Sequence, residues 1–144
     1  MFHGKKDDVA ESVTKYVSPT TCFACGADNP RGLHLHFQKN ENEEMVAEWT
    51  PEQHLEGYTG IIHGGIISTV LDEAMAKIVA AQGGSALTVE LRVRFKRMVA
   101  SGEKVVISGW IASGNRHMIR AEAKLSTIDG SELAHGWGTF LGSK

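Results

Sequence analysis

The stretch Ile66-Ile-Ser-Thr-Val-Leu-Asp-Glu-Ala-Met-Ala-Lys-Ile-Val-Ala-Ala-Gln82, followed after Gly83-Gly84-Ser85 by Ala86-Leu-Thr-Val-Glu-Leu-Arg-Val-Arg-Phe-Lys96, decides the fold. Its first half has no proline and no glycine. The apolar residues fall on two adjoining stripes, Ile66, Val70, Ala74 and Ile78 beside Ile67, Leu71 and Met75. At 3.6 residues per turn this predicts one long helix, apolar over most of its circumference and therefore largely buried. Glu73 and Lys77, one turn apart, form its small solvated edge, and Gly83-Gly84 stops it. After residue 86 the period becomes two. Leu87, Val89, Leu91, Val93 and Phe95 alternate with Thr88, Glu90, Arg92, Arg94 and Lys96, which predicts a long half-buried strand with Thr88 off its core face.

Upstream, Leu33-His-Leu-His-Phe37 alternates strictly and predicts a first strand, and Met45-Val-Ala-Glu-Trp49 predicts a second. Downstream, three strand-like segments, 104–113, 117–127 and 132–141, are separated by Gly114-Asn115 and Asp129-Gly130 turns. The order is two strands, one helix and four strands, without an internal repeat. This points to an α+β architecture, an antiparallel sheet curled around one central helix. Residues 1–20 are polar and charged and read as a loosely attached arm, leaving 21–144 as a single domain.

With 144 residues and 42% hydrophobic content, the chain can build a core without disulfides or metals. A net charge of −2 offers no basic field for nucleic acid. No apolar run approaches the roughly 20 residues that span a bilayer, and the first residues lack a signal-peptide pattern, so the expected location is cytoplasmic. Cys22 and Cys25 are read as free thiols in a reducing compartment. With His34 and His36 they offer four zinc ligands, but Cys-x-x-Cys with His-x-His is not a common zinc spacing, so neither metal nor cofactor is expected.

Gly60-Ile-Ile-His-Gly-Gly-Ile-Ile-Ser-Thr-Val-Leu-Asp-Glu-Ala74, in which His-Gly-Gly is followed by an acid nine residues after the histidine, resembles the signature of hotdog-fold thioesterases of the PaaI-like and hydroxybenzoyl-CoA thioesterase type. The resemblance covers about residues 30–142. It implies an acyl-CoA thioesterase acting on an aryl or medium-chain thioester. The helix N-terminus would supply an oxyanion hole, with Gly64 as the donor, Gly65 keeping the turn open and His63 capping it, while Asp72 acts on the carbonyl through water or directly. The physics is consistent with these roles, since free amides at a helix start stabilise negative charge. The resemblance also implies that Thr88 orients the attacking water and that Arg94, Lys96, Arg97 and Arg116 meet the phosphates of coenzyme A. Relatives often have a polar Asn or Gln before the motif. Here the stretch is Leu55-Glu-Gly-Tyr-Thr-Gly60, with Glu56, Tyr58 and Thr59 as substitutes. Trp49, Tyr58 and Met75 are candidates to line the acyl pocket. An acyl hydratase or dehydratase, and a non-catalytic acyl-CoA-binding module, are the competing readings of the same fold.

Helix geometry adds a constraint. Eight residues separate Gly64 from Asp72, about 12 Å along a straight helix, so one chain cannot bring both to one carbonyl. The expected assembly is a two-fold homodimer with both active sites at its interface, pairing further into a dimer of dimers.

Overall fold

The computed structural model describes residues 19–83, 86–115 and 117–142. The expected arm lies outside these, apart from Pro19 and Thr20, and so does Arg116. Among the described residues, six strands form one antiparallel sheet: β1 (Gln38–Lys39), β2 (Met45–Trp49), β3 (Ala86–Phe95), β4 (Val105–Gly114), β5 (Met118–Thr127) and β6 (Glu132–Gly142). Their spatial order is β1-β2-β4-β5-β6-β3, which leaves β3 on an edge. Among the described residues a single α-helix, α1 (Gly64–Ala80), packs against one face of this sheet. This is the expected hotdog arrangement of a sheet around one helix.

The helix forms where the apolar stripes require it, two residues earlier than expected at its start and at its end. Ile67, Val70, Leu71, Ala74, Met75, Ile78 and Val79 are its buried residues. They meet a sheet face that includes Ile107, Ala121, Ala123, Leu125, Ala134 and Phe140, all buried. Contact is closest at Gly109 of β4, where an added Cβ would lie 2.7 Å from the Ala74 carbonyl oxygen. Backbone thus faces backbone, and only glycine fits. Gly136 and Gly138 of β6 leave room in the same way for Leu71 and Met75.

Two expectations need correction. The segment 33–37 buries Leu33 and Leu35 as its alternation implied, but it is not a ladder strand. Its amides turn to the cysteine loop instead, Leu33 N–H to the Phe23 carbonyl at 2.8 Å and Leu35 N–H to the Ala24 carbonyl at 2.9 Å. In β3 the pairing with β6 shifts register between Thr88 and Glu90, leaving Val89 as an extra residue. Such a bulge reverses which side the following residues face. Thr88 pairs with Phe140, Leu91 with Gly138, Val93 with Gly136 and Phe95 with Ala134. All four therefore look toward α1, with Leu87 on the opposite face. The uniform alternation read from the sequence does not hold across residue 89.

Gly109→Ala is expected to cost about 1–3 kcal/mol, the usual range for overpacking a core. Urea unfolding checks this through a lower midpoint at unchanged slope.

Candidate functional site

An α-helix begins with amides that have no partner within the helix, and here each can be accounted for. His63 is the N-cap, extended at φ −59° and ψ 134°. Its Nδ1 accepts from Gly65 N–H at 2.8 Å, so this nitrogen carries no hydrogen. Its carbonyl accepts from Ile66 N–H at 3.0 Å and Ile67 N–H at 3.2 Å. Gly64 N–H alone is left without an acceptor among the described residues. Three bonds hold the loop before it: Ile62 N–H to the Val99 carbonyl, His63 N–H to the Leu55 carbonyl, and Ser101 N–H to the Gly60 carbonyl.

Gly64 borders a cleft of about 660 Å³ whose apolar wall includes Ile61, Ile67, Phe95 and Met98. The ring of Phe95 would lie 3.4 Å from a Cβ at Gly64. Lys96 and Arg97 sit at the same cleft. The Lys96 ammonium also pairs with Glu132.

Asp72 lies two turns further along α1 and is half-buried. Its Oδ1 accepts from the Thr88 hydroxyl at 2.7 Å. The bulge at Val89 makes this contact possible, because it sets Thr88 on the helix side, contrary to the expected parity. Oδ2 has no protein donor among the described residues. Since no buried side-chain oxygen among the described residues lacks a partner, Oδ2 reaches solvent. Burial pushes the carboxyl above its ordinary value, the Thr88 bond pulls it down, and the neighbouring Glu73 carboxylate adds to the rise. A raised, hydrogen-bonded carboxylate with one open oxygen is equipped to accept a proton.

Other candidates are less gathered. Arg94 pairs in register with His135 on the sheet face away from α1, apart from the Gly64 cleft. Glu56 accepts from the Ser101 hydroxyl, which lowers its pKa and ties it to the loop that fixes the helix start. Tyr58 stands 83% exposed, whereas Met75 and Trp49 belong to the core at 0% and 8%. A neighbourhood missed by sequence reading is the outer face of β5 and β6. There His135 bonds both Glu132 and Glu122, and the Arg92 guanidinium lies 4.4 Å from the Trp137 ring centroid. Residues from different strands meet there, and only the strand register could have announced it.

The family model of the thioesterase superfamily matches residues 59–134, from the loop before α1 into β6. The chain is 29% identical over 127 residues to acyl-coenzyme A thioesterase THEM4 of Bos taurus, covering 87% of this chain and 52% of that protein. It is 30% identical over 73 residues to acyl-coenzyme A thioesterase THEM5 of Homo sapiens, covering 51% of this chain and 29% of that protein. It thus spans about half or less of the length of these curated relatives. Among solved structures, a thioesterase superfamily protein superposes with a TM-score of 0.82 at 19% identity, over 92% of this chain and 65% of that one. A Bacillus halodurans protein solved with CoA gives 0.67 at 27% identity, over 76% and 74%.

His63→Ala removes the acceptor for Gly65 N–H and is expected to destabilise the fold by about 0.5–2 kcal/mol, the usual worth of an N-cap. Thermal unfolding followed by circular dichroism checks it.

Proposed function

Because the chain belongs to the thioesterase superfamily, we propose that it hydrolyses an acyl-CoA thioester at two sites of a homodimer, each built from Gly64 of one protomer and Asp72 of its partner. The observation that carries this reading is the division of labour along α1. One unpaired amide stands at its start, and one solvent-reaching carboxylate stands about 12 Å further along the same rod. Neither suffices alone. Asp72 takes a proton from water as the water oxygen adds to the thioester carbonyl carbon. Gly64 N–H meets the negative charge that gathers on the carbonyl oxygen, helped by the positive end of the helix dipole. Collapse of the intermediate breaks the C–S bond and releases CoA as its thiolate. Thr88 keeps Asp72 in one orientation.

The edge position of β3 supports the dimer. Val89, Leu91 and Phe95 are 42%, 37% and 53% exposed, and Met98 just beyond is 73% exposed. A long apolar edge strand invites a second strand, and β3 pairing with its own copy about a two-fold axis continues the sheet and covers these side chains. The apolar cleft beside Gly64 suits an aryl or medium-chain acyl group. Lys96 and Arg97 at that cleft suit the phosphates of CoA, whereas Arg94, on the other sheet face, is not part of this reading.

Gly64→Pro offers a clean test of the donor. Proline is favoured at the first helical position, and the extended His63 backbone before it, ψ 134°, is what a following proline requires. The variant is expected to fold yet lose about 10²–10³ in kcat, the typical cost of one oxyanion donor. Asp72→Asn is expected to lose nearly all turnover. Mixing the two inactive proteins after reversible unfolding should restore about one quarter of wild-type activity, since half of the dimers are hybrids with one intact site of two. A strictly monomeric protein, or an Asp72→Asn variant that still releases CoA at the wild-type rate, contradicts the proposal.

Asp72 must be ionised to act as a base, so kcat/KM falls as pH drops through its raised pKa. Thr88→Val removes a bond that favours the ionised form. The acid limb of the pH–rate profile should therefore move to higher pH, with kcat about 10–100-fold lower for a lost bond to a charged group.

A further inference from the structure

We propose that Cys22, Cys25 and Glu73 form a binding site for a thiophilic divalent cation, with Zn²⁺ the natural occupant, one residue along α1 from Asp72. This inference does not rest on the thioesterase reading. The two sulfurs and a Glu73 carboxylate oxygen all lie within 4.8 Å of one another. A tetrahedral zinc ion, with Zn–S of about 2.3 Å and Zn–O of about 2.0–2.2 Å, sets its ligand atoms about 3.5–3.8 Å apart. Closing the cluster therefore takes side-chain shifts of about 1 Å. His34 and His36 are not members of it. His34 Nε2 is engaged by the Asn29 carbonyl at 2.5 Å, so the ligand set suggested by sequence spacing is replaced by one that includes a helix carboxylate.

The loop is built to hold its two cysteines close together. Gly26 N–H donates to the Cys22 carbonyl at 2.8 Å, and Asp28 N–H donates to the Thr20 carbonyl at 2.9 Å. A Cβ on Gly26 would lie 2.4 Å from both the Cys22 nitrogen and the Thr20 oxygen, so this Cys-x-x-Cys-Gly turn closes only with glycine. A divalent ion bound by the two sulfurs and the Glu73 carboxylate would displace the thiol protons and neutralise the charge that the three groups share.

Glu73 argues further for a cation. Its side chain is only 14% exposed, so it is not the solvated partner expected from its spacing to Lys77. Lys77 Nζ stands 3.8 Å from it. Two thiolates and a carboxylate balance a divalent cation plus this ammonium, leaving no net charge in a partly buried place. A disulfide would use only the sulfurs and leave Glu73 with Lys77 alone. Three protein ligands would leave a fourth coordination position for water.

The test uses the reduced, full chain, loaded with Zn²⁺ and then dialysed against metal-free buffer, with metal measured by mass spectrometry. About one equivalent per chain is expected. Titration with Co²⁺ in place of Zn²⁺ should give tetrahedral visible bands and an intense near-ultraviolet thiolate-to-metal band. Both are lost in Cys22→Ser and Cys25→Ser. Glu73→Gln keeps the two thiolates and should keep the near-ultraviolet band while binding Zn²⁺ about 10–100-fold more weakly. This second variant decides the matter if a cysteine variant fails to fold. Zinc retention equal in the wild type and the Cys22→Ser/Cys25→Ser double variant overturns the proposal. So does Co²⁺ binding without the thiolate band, or an intramolecular disulfide in a chain that takes up no metal when reduced.

Discussion

Helix α1 rests on the sheet at near backbone contact, with Gly109 of β4 under the Ala74 carbonyl, and the placement of the other groups described follows from that crossing. A helix held this close cannot slide or roll, because its other buried side chains interlock with Gly136, Gly138 and Phe140 of the sheet. Its start is fixed by the loop tied to Leu55 and Val99, and its middle by the Thr88 bond to Asp72. The helix is thus a rigid bar carrying a donor at one end and a carboxylate further along.

Two adjacent carboxylates on this bar meet opposite surroundings. Asp72 turns toward β3, where a hydroxyl steadies one oxygen and solvent reaches the other. Glu73 turns toward the cysteine loop and Lys77, where sulfurs and an ammonium surround it. Successive helical residues point about 100° apart, which is enough to give neighbours in the chain unrelated environments. Each nevertheless feels the other, since the charge of Glu73 contributes to the rise of the Asp72 pKa.

Much of this was readable from the residues, because the governing patterns are local. The stripes of residues 66–78 predict the helix, the turn residues at 114–115 and 129–130 predict the hairpins, and the acid on the helix stands out among apolar neighbours. The parts that were not readable depend on partners distant in the chain. Val89 is apolar and fits the two-residue period, so nothing in its identity signals that it stands outside the ladder; only the pairing with Phe140 and Thr139 reveals it. Likewise Leu33 and Leu35 announce burial but not the carbonyls of Phe23 and Ala24 that their amides choose. Cys22 and Cys25 suggest nearby histidines by spacing, whereas folding brings them a glutamate from the helix.

The bulge at Val89 has a consequence for how this strand tolerates change. Because Thr88 and the apolar ridge of Leu91, Val93 and Phe95 lie on the same side only through one uncounted residue, chain length between them is constrained. Removing that residue would restore regular pairing and force a choice, turning away either the hydroxyl that holds Asp72 or the ridge along the free edge, so the acid and the assembly surface are coupled through a single backbone irregularity.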